Sequence, residues 1–187
     1  MDDLLRVFLS VDIDDETLLD KIVSSQGKLD RDAAKMKLVE RENIHFTWRF
    51  FGDTPMPKID EIHSALAGLE SASFAIKVEG VGAFPNLRRP RVIWIGVTEN
   101  AEKMVDLKTK TDNRLVALGY HPEKKFTPHA TIARIRFVKA AGNLTRNLEG
   151  LAHESIGSMQ VTGIRMTKST LTQSGPIYET LWEIPFK

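Results

Sequence analysis

Apolar runs punctuated by turn formers divide the chain into strand-like and helix-like stretches. Arg6 to Ile13 is rich in Val, Phe and Ile, as a largely buried strand should be. Asp14 then offers an N-cap ahead of Leu18, Leu19, Ile22 and Val23, whose three-to-four spacing predicts a helix. Lys37 to Phe51 reads as a second strand. Asp53-Thr54-Pro55-Met56-Pro57 breaks it before a helix that turns Ile59, Ile62, Leu66 and Leu69 inward. Phe74 to Val81 and Val92 to Val97 predict a buried strand pair around the loop Pro85 to Pro90. A long helix follows from about Asn100, with Met104, Leu107, Thr111, Leu115 and Leu118 inward and Gly119 as its stop.

Thr127 to Val138 predicts another strand, and Asn143 is placed to cap a short helix bearing Leu144, Leu148 and Leu151. Three closing strands are expected at Met159 to Met166, Ser169 to Gln173 and Tyr178 to Ile184, with Ser174-Gly175-Pro176 turning between the last two. Strands and helices mix throughout, which predicts an α+β domain of two similar halves, although the letters carry no strong full-length repeat.

At 187 residues the chain can bury one sizeable core, so residues 1–187 are expected to form a single domain with two lobes. The absence of cysteine excludes disulfides, thiolate metal sites and a cysteine nucleophile. With 26 basic and 25 acidic residues the molecule lacks the broad positive field of a non-specific duplex binder, so any nucleic-acid contact should be local. The opening MDDLLRVFLSVDIDD fits neither a secretory signal nor a membrane span, and the expectation is a soluble cytoplasmic protein without a membrane partner.

Two copies of one short pattern stand out: His45-Phe46-Thr47-Trp48 and His129-Ala130-Thr131-Ile132. Because strand side chains alternate, each copy presents an imidazole and a hydroxyl on one face, with apolar residues on the other. Two histidines across a cleft suit in-line displacement at phosphorus. One takes a proton from the attacking water, the other gives a proton to the leaving oxygen, and the threonine hydroxyls hold the non-bridging oxygens. This chemistry needs no metal or other cofactor, and neither HExxH nor a third carboxylate ligand accompanies the histidines.

His63, His121 and His153 fall on a helix, in a turn and near a helix end, and are expected to be structural or solvated. Strand parity puts Arg49 on the cleft face with His45 and Thr47, and gives Arg134 the opposite parity from His129 unless a bulge intervenes; Arg49 is therefore ranked ahead of Arg134 for substrate binding. Tyr178 is a candidate to stack on a base, set against the commoner core or rim role of a strand tyrosine. Arg88, Arg89, Arg91, Lys124, Lys125 and Arg136 are weaker candidates for contact with a phosphate-bearing substrate. Trp94 and Trp182, within apolar strands, are expected in the core.

The segments HFTWRFFGD, RRPRVIWIGV, LGYHPEKKFTPHATIAR and KSTLTQSGPIYE resemble, in order and over most of the chain, the two-histidine (2H) phosphoesterases. Within these, they are similar to the bacterial and archaeal RNA 2′,3′-cyclic phosphodiesterases, first described as 2′-5′ RNA ligases. Departures are mild: Trp48 and Phe51 stand where aliphatic residues are common, and Ala130 is small. The resemblance implies a bilobal fold in which two antiparallel β-sheets face a central cleft with helices packed outside. It also implies opening of an RNA 2′,3′-cyclic phosphate to a 2′-phosphate, with a tRNA half, another oligonucleotide and a small cyclic nucleotide all open as the substrate; a monomer is expected. It assigns His45 as proton donor, His129 as proton acceptor, and Thr47 and Thr131 as phosphate holders, a division that the two equivalent motifs do not themselves make. Ligation, with a 5′-hydroxyl in place of water, and RNA-end binding without turnover are the competing readings.

Overall fold

In the computed structural model, which describes residues 3–187, the strands are β1 (Leu4–Asp12), β2 (Ala34–Leu38), β3 (His45–Pro55), β4 (Phe74–Phe84), β5 (Val92–Val97), β6 (His129–Val138), β7 (Ser155–Val161), β8 (Gly163–Leu171) and β9 (Pro176–Pro185). The helices are α1 (Glu16–Gln26), α2 (Met56–Leu66), α3 (Ala101–Leu115) and α4 (Ala141–Gly150). All strand pairings are antiparallel, in the order β7-β4-β5-β6-β3-β1-β8-β9, with β2 also on β6. The α+β class holds.

Where two separate sheets were expected, the strands form one continuous sheet, because β3 and β6 pair and join its two halves at a single seam. β3 pairs with β6 through one residue pair, Phe46 with Ala130. On one side of the seam the order outward is β3-β1-β8-β9, and on the other it is β6-β5-β4-β7, so the closing strands β8 and β9 complete the first half and not the second. The two halves share a register. Asp12, Ser10, Leu9 and Phe8 of β1 face His45, Thr47, Arg49 and Phe50 of β3. Gly96, Trp94, Ile93 and Val92 of β5 face His129, Thr131, Ala133 and Arg134 of β6 at a constant displacement along the chain. The repeat that the letters hide is present in the ladder.

Amphipathic spacing accounts for the helices. Leu18, Leu19 and Ile22 of α1, Ile59, Ile62 and Leu66 of α2, and Met104, Leu107, Thr111 and Leu115 of α3 are buried as their periods predict. All but Thr111 join Leu9, Phe46, Trp48, Ile93, Ile95 and Ile132 in one apolar cluster. Each half-sheet thereby has a covered face and an open one, and the open faces carry the polar residues.

Several local expectations change. The cap of α1 is Asp15, whose carboxylate accepts from the Leu18 amide at 2.9 Å; Asp14 instead pairs with Arg165. α4 starts at Ala141 without a side-chain cap, and Asn143 accepts from Arg146 instead. The strand expected from Lys37 to Phe51 is two strands. β2 and β3 lie end to end along the same edge of β6, so the chain leaves the sheet between them in a short 3₁₀ turn at Arg41–Asn43. Asp53-Thr54-Pro55 does not break the strand; β3 runs through Pro55 and α2 begins at Met56. Met159 to Met166 divides at Thr162 because β7 pairs with β4 and β8 with β1, in opposite halves. Ser169 belongs to β8, which ends at Leu171.

Candidate active site

The Phe46–Ala130 pair places the two motifs. Both residues are buried, so the residues on either side of them point to the opposite, open face. In an antiparallel pair the flanking positions lie across from one another, which sets His45 beside Thr131 and Thr47 beside His129. The four polar side chains form one patch on the open side of the seam. His45, Thr47 and Thr131 line a cleft of about 550 Å³, together with Arg6, Phe8, Lys37, Phe50, Arg134 and Tyr178.

Both imidazoles are oriented alike. His45 Nδ1 donates to the carbonyl of Asn43 at 2.8 Å, and His129 Nδ1 donates to the carbonyl of Thr127 at 2.6 Å. A carbonyl can only accept, so the proton of each neutral ring resides on Nδ1 and Nε2 is left to act as base. His45 Nε2 lies 2.9 Å from Thr47 Oγ1.

Aromatic rings enclose each histidine. Phe8 stacks on His45 at 4.9 Å and Tyr178 meets it edge-on at 5.4 Å. Phe84 stands perpendicular to His129 at 4.8 Å, with Trp94 at 6.0 Å. This burial holds both imidazoles below their ordinary value. The Asn43 carbonyl and the Asp12 carboxylate oppose the shift at His45, while the charges of Arg134 and His129 add to it. At His129 only the Thr127 carbonyl stands against burial. Burial likewise pushes the Tyr178 phenol up, keeping it protonated.

The equivalent halves differ at one informative place. Asp12 faces His45, whereas Gly96 occupies the matching position opposite His129. Asp12 is held by Ser10 Oγ at 2.6 Å and by Arg165 at 2.9 Å.

Bulges decide which arginine enters the cleft, and they reverse the ranking that strand parity suggested. In β3 the register slips at Trp48, so Trp48 and Arg49 both face the helices and Phe50 turns into the cleft. Trp48 Nε1 donates to Thr111 and Arg49 Nη1 to Asp112 at 2.9 Å, both on α3, and Arg49 Nη2 holds the His121 carbonyl at 2.8 Å. Arg49 is therefore outside the cleft. In β6 the register slips at Ile132, which brings Arg134 onto the face of Thr131 and into the cleft lining. The two bulges occupy the same place, one residue after each threonine.

Arg88 and Arg89 lie on an exposed turn whose amides bond Asn86, while Lys124 and Lys125 are on an exposed loop; none of these lines the cleft. His63 packs against Trp182 at 4.7 Å, away from the motifs. Trp94 and Trp182 are half-buried rather than core, each with an unpartnered ring N–H among the described residues. Parity alone missed Phe50, and Asp12, Arg6 and Lys37 had no motif to mark them. Among the described residues no group of three or more His, Asp or Glu side chains is arranged as metal ligands. No described helix is long and apolar enough to cross a membrane.

Two pseudo-equivalent half-sheets thus meet at two His/Thr pairs. Residues 11–94 and 95–178 each match the model of the LigT-like phosphoesterases, and the chain belongs to that family. The boundary between the matches falls inside β5, in keeping with the structural repeat. The chain is 39% identical over 178 residues to the RNA 2′,3′-cyclic phosphodiesterase of Methanothermobacter thermautotrophicus, covering 93% of this chain and 95% of the relative. It is 40% identical over 150 residues to the protein of the same name from Aeropyrum pernix, covering 80% and 85%. Among solved structures, a Thermus thermophilus protein superposes with a TM-score of 0.77 at 26% identity over 97% of both chains. Escherichia coli LigT, at 20% identity and a TM-score of 0.77 over 99% of both, shares the fold.

Proposed function

We propose that the protein hydrolyses RNA ends carrying a 2′,3′-cyclic phosphate to 2′-phosphates, by metal-independent acid–base catalysis from the two HxTx motifs. The observation that carries this reading is the Phe46–Ala130 pair, which sets both imidazoles and both hydroxyls on one open face. The names of the relatives supply the substrate class.

In this mechanism the phosphorus sits over the patch with its non-bridging oxygens on Thr47 and Thr131. His129, neutral and with its Nδ1 proton held by Thr127, offers the Nε2 lone pair to a water. As the water oxygen bonds to phosphorus, its proton passes to His129. The bond from phosphorus to the 3′ oxygen breaks, and His45 Nε2–H gives its proton to that oxygen. Because Asn43 holds the Nδ1 proton, a His45 that donates from Nε2 must be an imidazolium. Asp12 favours that charged form, and Gly96 gives His129 no such support, so the asymmetry supports His45 as acid and His129 as base. The product leaves with His129 protonated and His45 neutral, and proton exchange with solvent resets the pair.

The test is to incubate EDTA-treated protein and its His45→Ala and His129→Ala variants with an oligoribonucleotide ending in a 2′,3′-cyclic phosphate. A 2′-phosphate from wild type, unaffected by chelation and slowed ~10²–10⁴-fold in each variant, is expected. Binding without turnover, a 3′-phosphate product or loss of activity on chelation overturns the proposal. A joined 2′-5′ product in the presence of a 5′-hydroxyl strand would mark ligation.

A further inference from the structure

We propose that Arg134, Lys37, Phe137 and Lys35, on the open face of β6 and β2, form a track for single-stranded RNA leading away from the reacting end. This rests on the RNA reading above and narrows it: the substrate is a chain of several nucleotides rather than a cyclic mononucleotide.

The register makes the track. β6 slips against its neighbours at Ile132 and again at Arg136, so its open-face residues are Thr131, Arg134 and Phe137. Across the ladder, Lys37 pairs with Arg134 and Lys35 with Phe137. The alternate residues of β2, Ala34, Met36 and Leu38, turn the other way onto the apolar core. The strip begins in the cleft, where Arg134 and Lys37 stand with Thr131, and continues past it. Each slip leaves two strand rises between successive open-face residues, so Phe137 lies roughly 14 Å from Thr131, past the nucleoside that carries the reacting phosphate.

Its chemistry fits a nucleic acid. Phe137 is 52% exposed on a sheet face, with the Lys35 ammonium 5.9 Å from its ring centroid. An exposed ring flanked by cations offers a stacking platform for any base and charge for the phosphates beside it. Among the described residues Lys35 and Arg134 have no carboxylate partner, and Lys37 approaches Glu40 only at 3.5 Å. The aromatic–cation alternation continues the phosphate site, so a strand whose terminal phosphate lies on Thr131 is led across Arg134 and onto Phe137.

The experiment compares uridine 2′,3′-cyclic phosphate with a pentaribonucleotide ending in the same group, in wild type, Lys35→Ala, Phe137→Ala and Phe137→Trp. Wild type is expected to show at least a tenfold higher kcat/KM on the pentanucleotide, through KM. Phe137→Ala and Lys35→Ala should each raise KM on that substrate by about tenfold, the loss of one stacked base or phosphate contact. The loss should be confined to the longer substrate, and Phe137→Trp should restore it. Equal wild-type efficiency on both substrates, or a loss shared by both, overturns the track. If wild type turns over neither, the proposed activity fails and the track is judged on binding of a fluorescent pentaribonucleotide with a 2′-phosphate end. Weaker binding in Phe137→Ala then supports the track, and unchanged binding overturns it.

Discussion

His45 and His129 make the same hydrogen bond, each donating Nδ1–H to the carbonyl two residues earlier in the chain, Asn43 for one and Thr127 for the other. The shared bond fixes both tautomers before substrate arrives, so reactivity at the two Nε2 atoms differs only through what surrounds each ring.

The surroundings predict the pH dependence. Burial lowers both imidazoles, so the proposed working state, with one ring protonated and the other neutral, falls in a range below the ordinary histidine value of about 6.5. We expect a bell-shaped profile of kcat/KM with both limbs below that value. Activity falls at higher pH as the donor loses its proton, and at lower pH as the acceptor gains one. The same lowering makes acid destabilising: from about 6.5 down to the lowered values the unfolded chain binds protons that the folded one refuses. Imidazole C–H resonances titrating at or above 6.5 in the free protein would contradict this.

Asp12→Asn removes the carboxylate that favours the His45 imidazolium. The His45 titration should move further down while that of His129 stays in place, and the alkaline limb should move to lower pH with it. NMR titration of the two histidines reads this directly, and a variant that moved both equally would show that Asp12 does not distinguish them.

Arg49 and Arg134 should fail in different ways. Arg49 is tied to Asp112, a side chain only 3% exposed that also accepts from Lys108 at 2.7 Å. Arg49→Ala leaves that charge short of a partner and frees the His121 loop, and should cost about 3 kcal/mol of stability, seen as a lower Tm. Arg134→Ala, in the cleft lining and free of carboxylates among the described residues, should leave Tm nearly unchanged and raise KM about tenfold. Thermal unfolding and steady-state kinetics on both variants separate the two roles.

Gly82→Ala should disturb the second histidine from behind. A Cβ at Gly82 would fall 2.3 Å from the Trp94 ring, which lies across β4 and neighbours His129. The ring must move, at a cost of about 1–3 kcal/mol, and carry the His129 environment with it. Stability should fall, and the His129 resonance should shift while that of His45 stays unchanged.

What the sequence determined by itself was local. The alternation that puts His and Thr on one face of a strand is a steric property of the backbone, and it holds in both motifs. The three-to-four spacing along α1, α2 and α3 is likewise local, and those faces are buried as expected. What only the tertiary structure decided depends on ladders between strands far apart in the chain. The slips at Trp48 and Ile132 lie in the β1–β3 and β5–β6 ladders, and they send Arg49 to α3 while bringing Phe50 and Arg134 into the cleft. The contrast of Asp12 with Gly96 has the same origin: neither residue is near a histidine in sequence, and pairing alone sets each opposite one. Strand parity is inherited residue by residue until a bulge resets it, and the bulge is a property of the pair of strands rather than of either one.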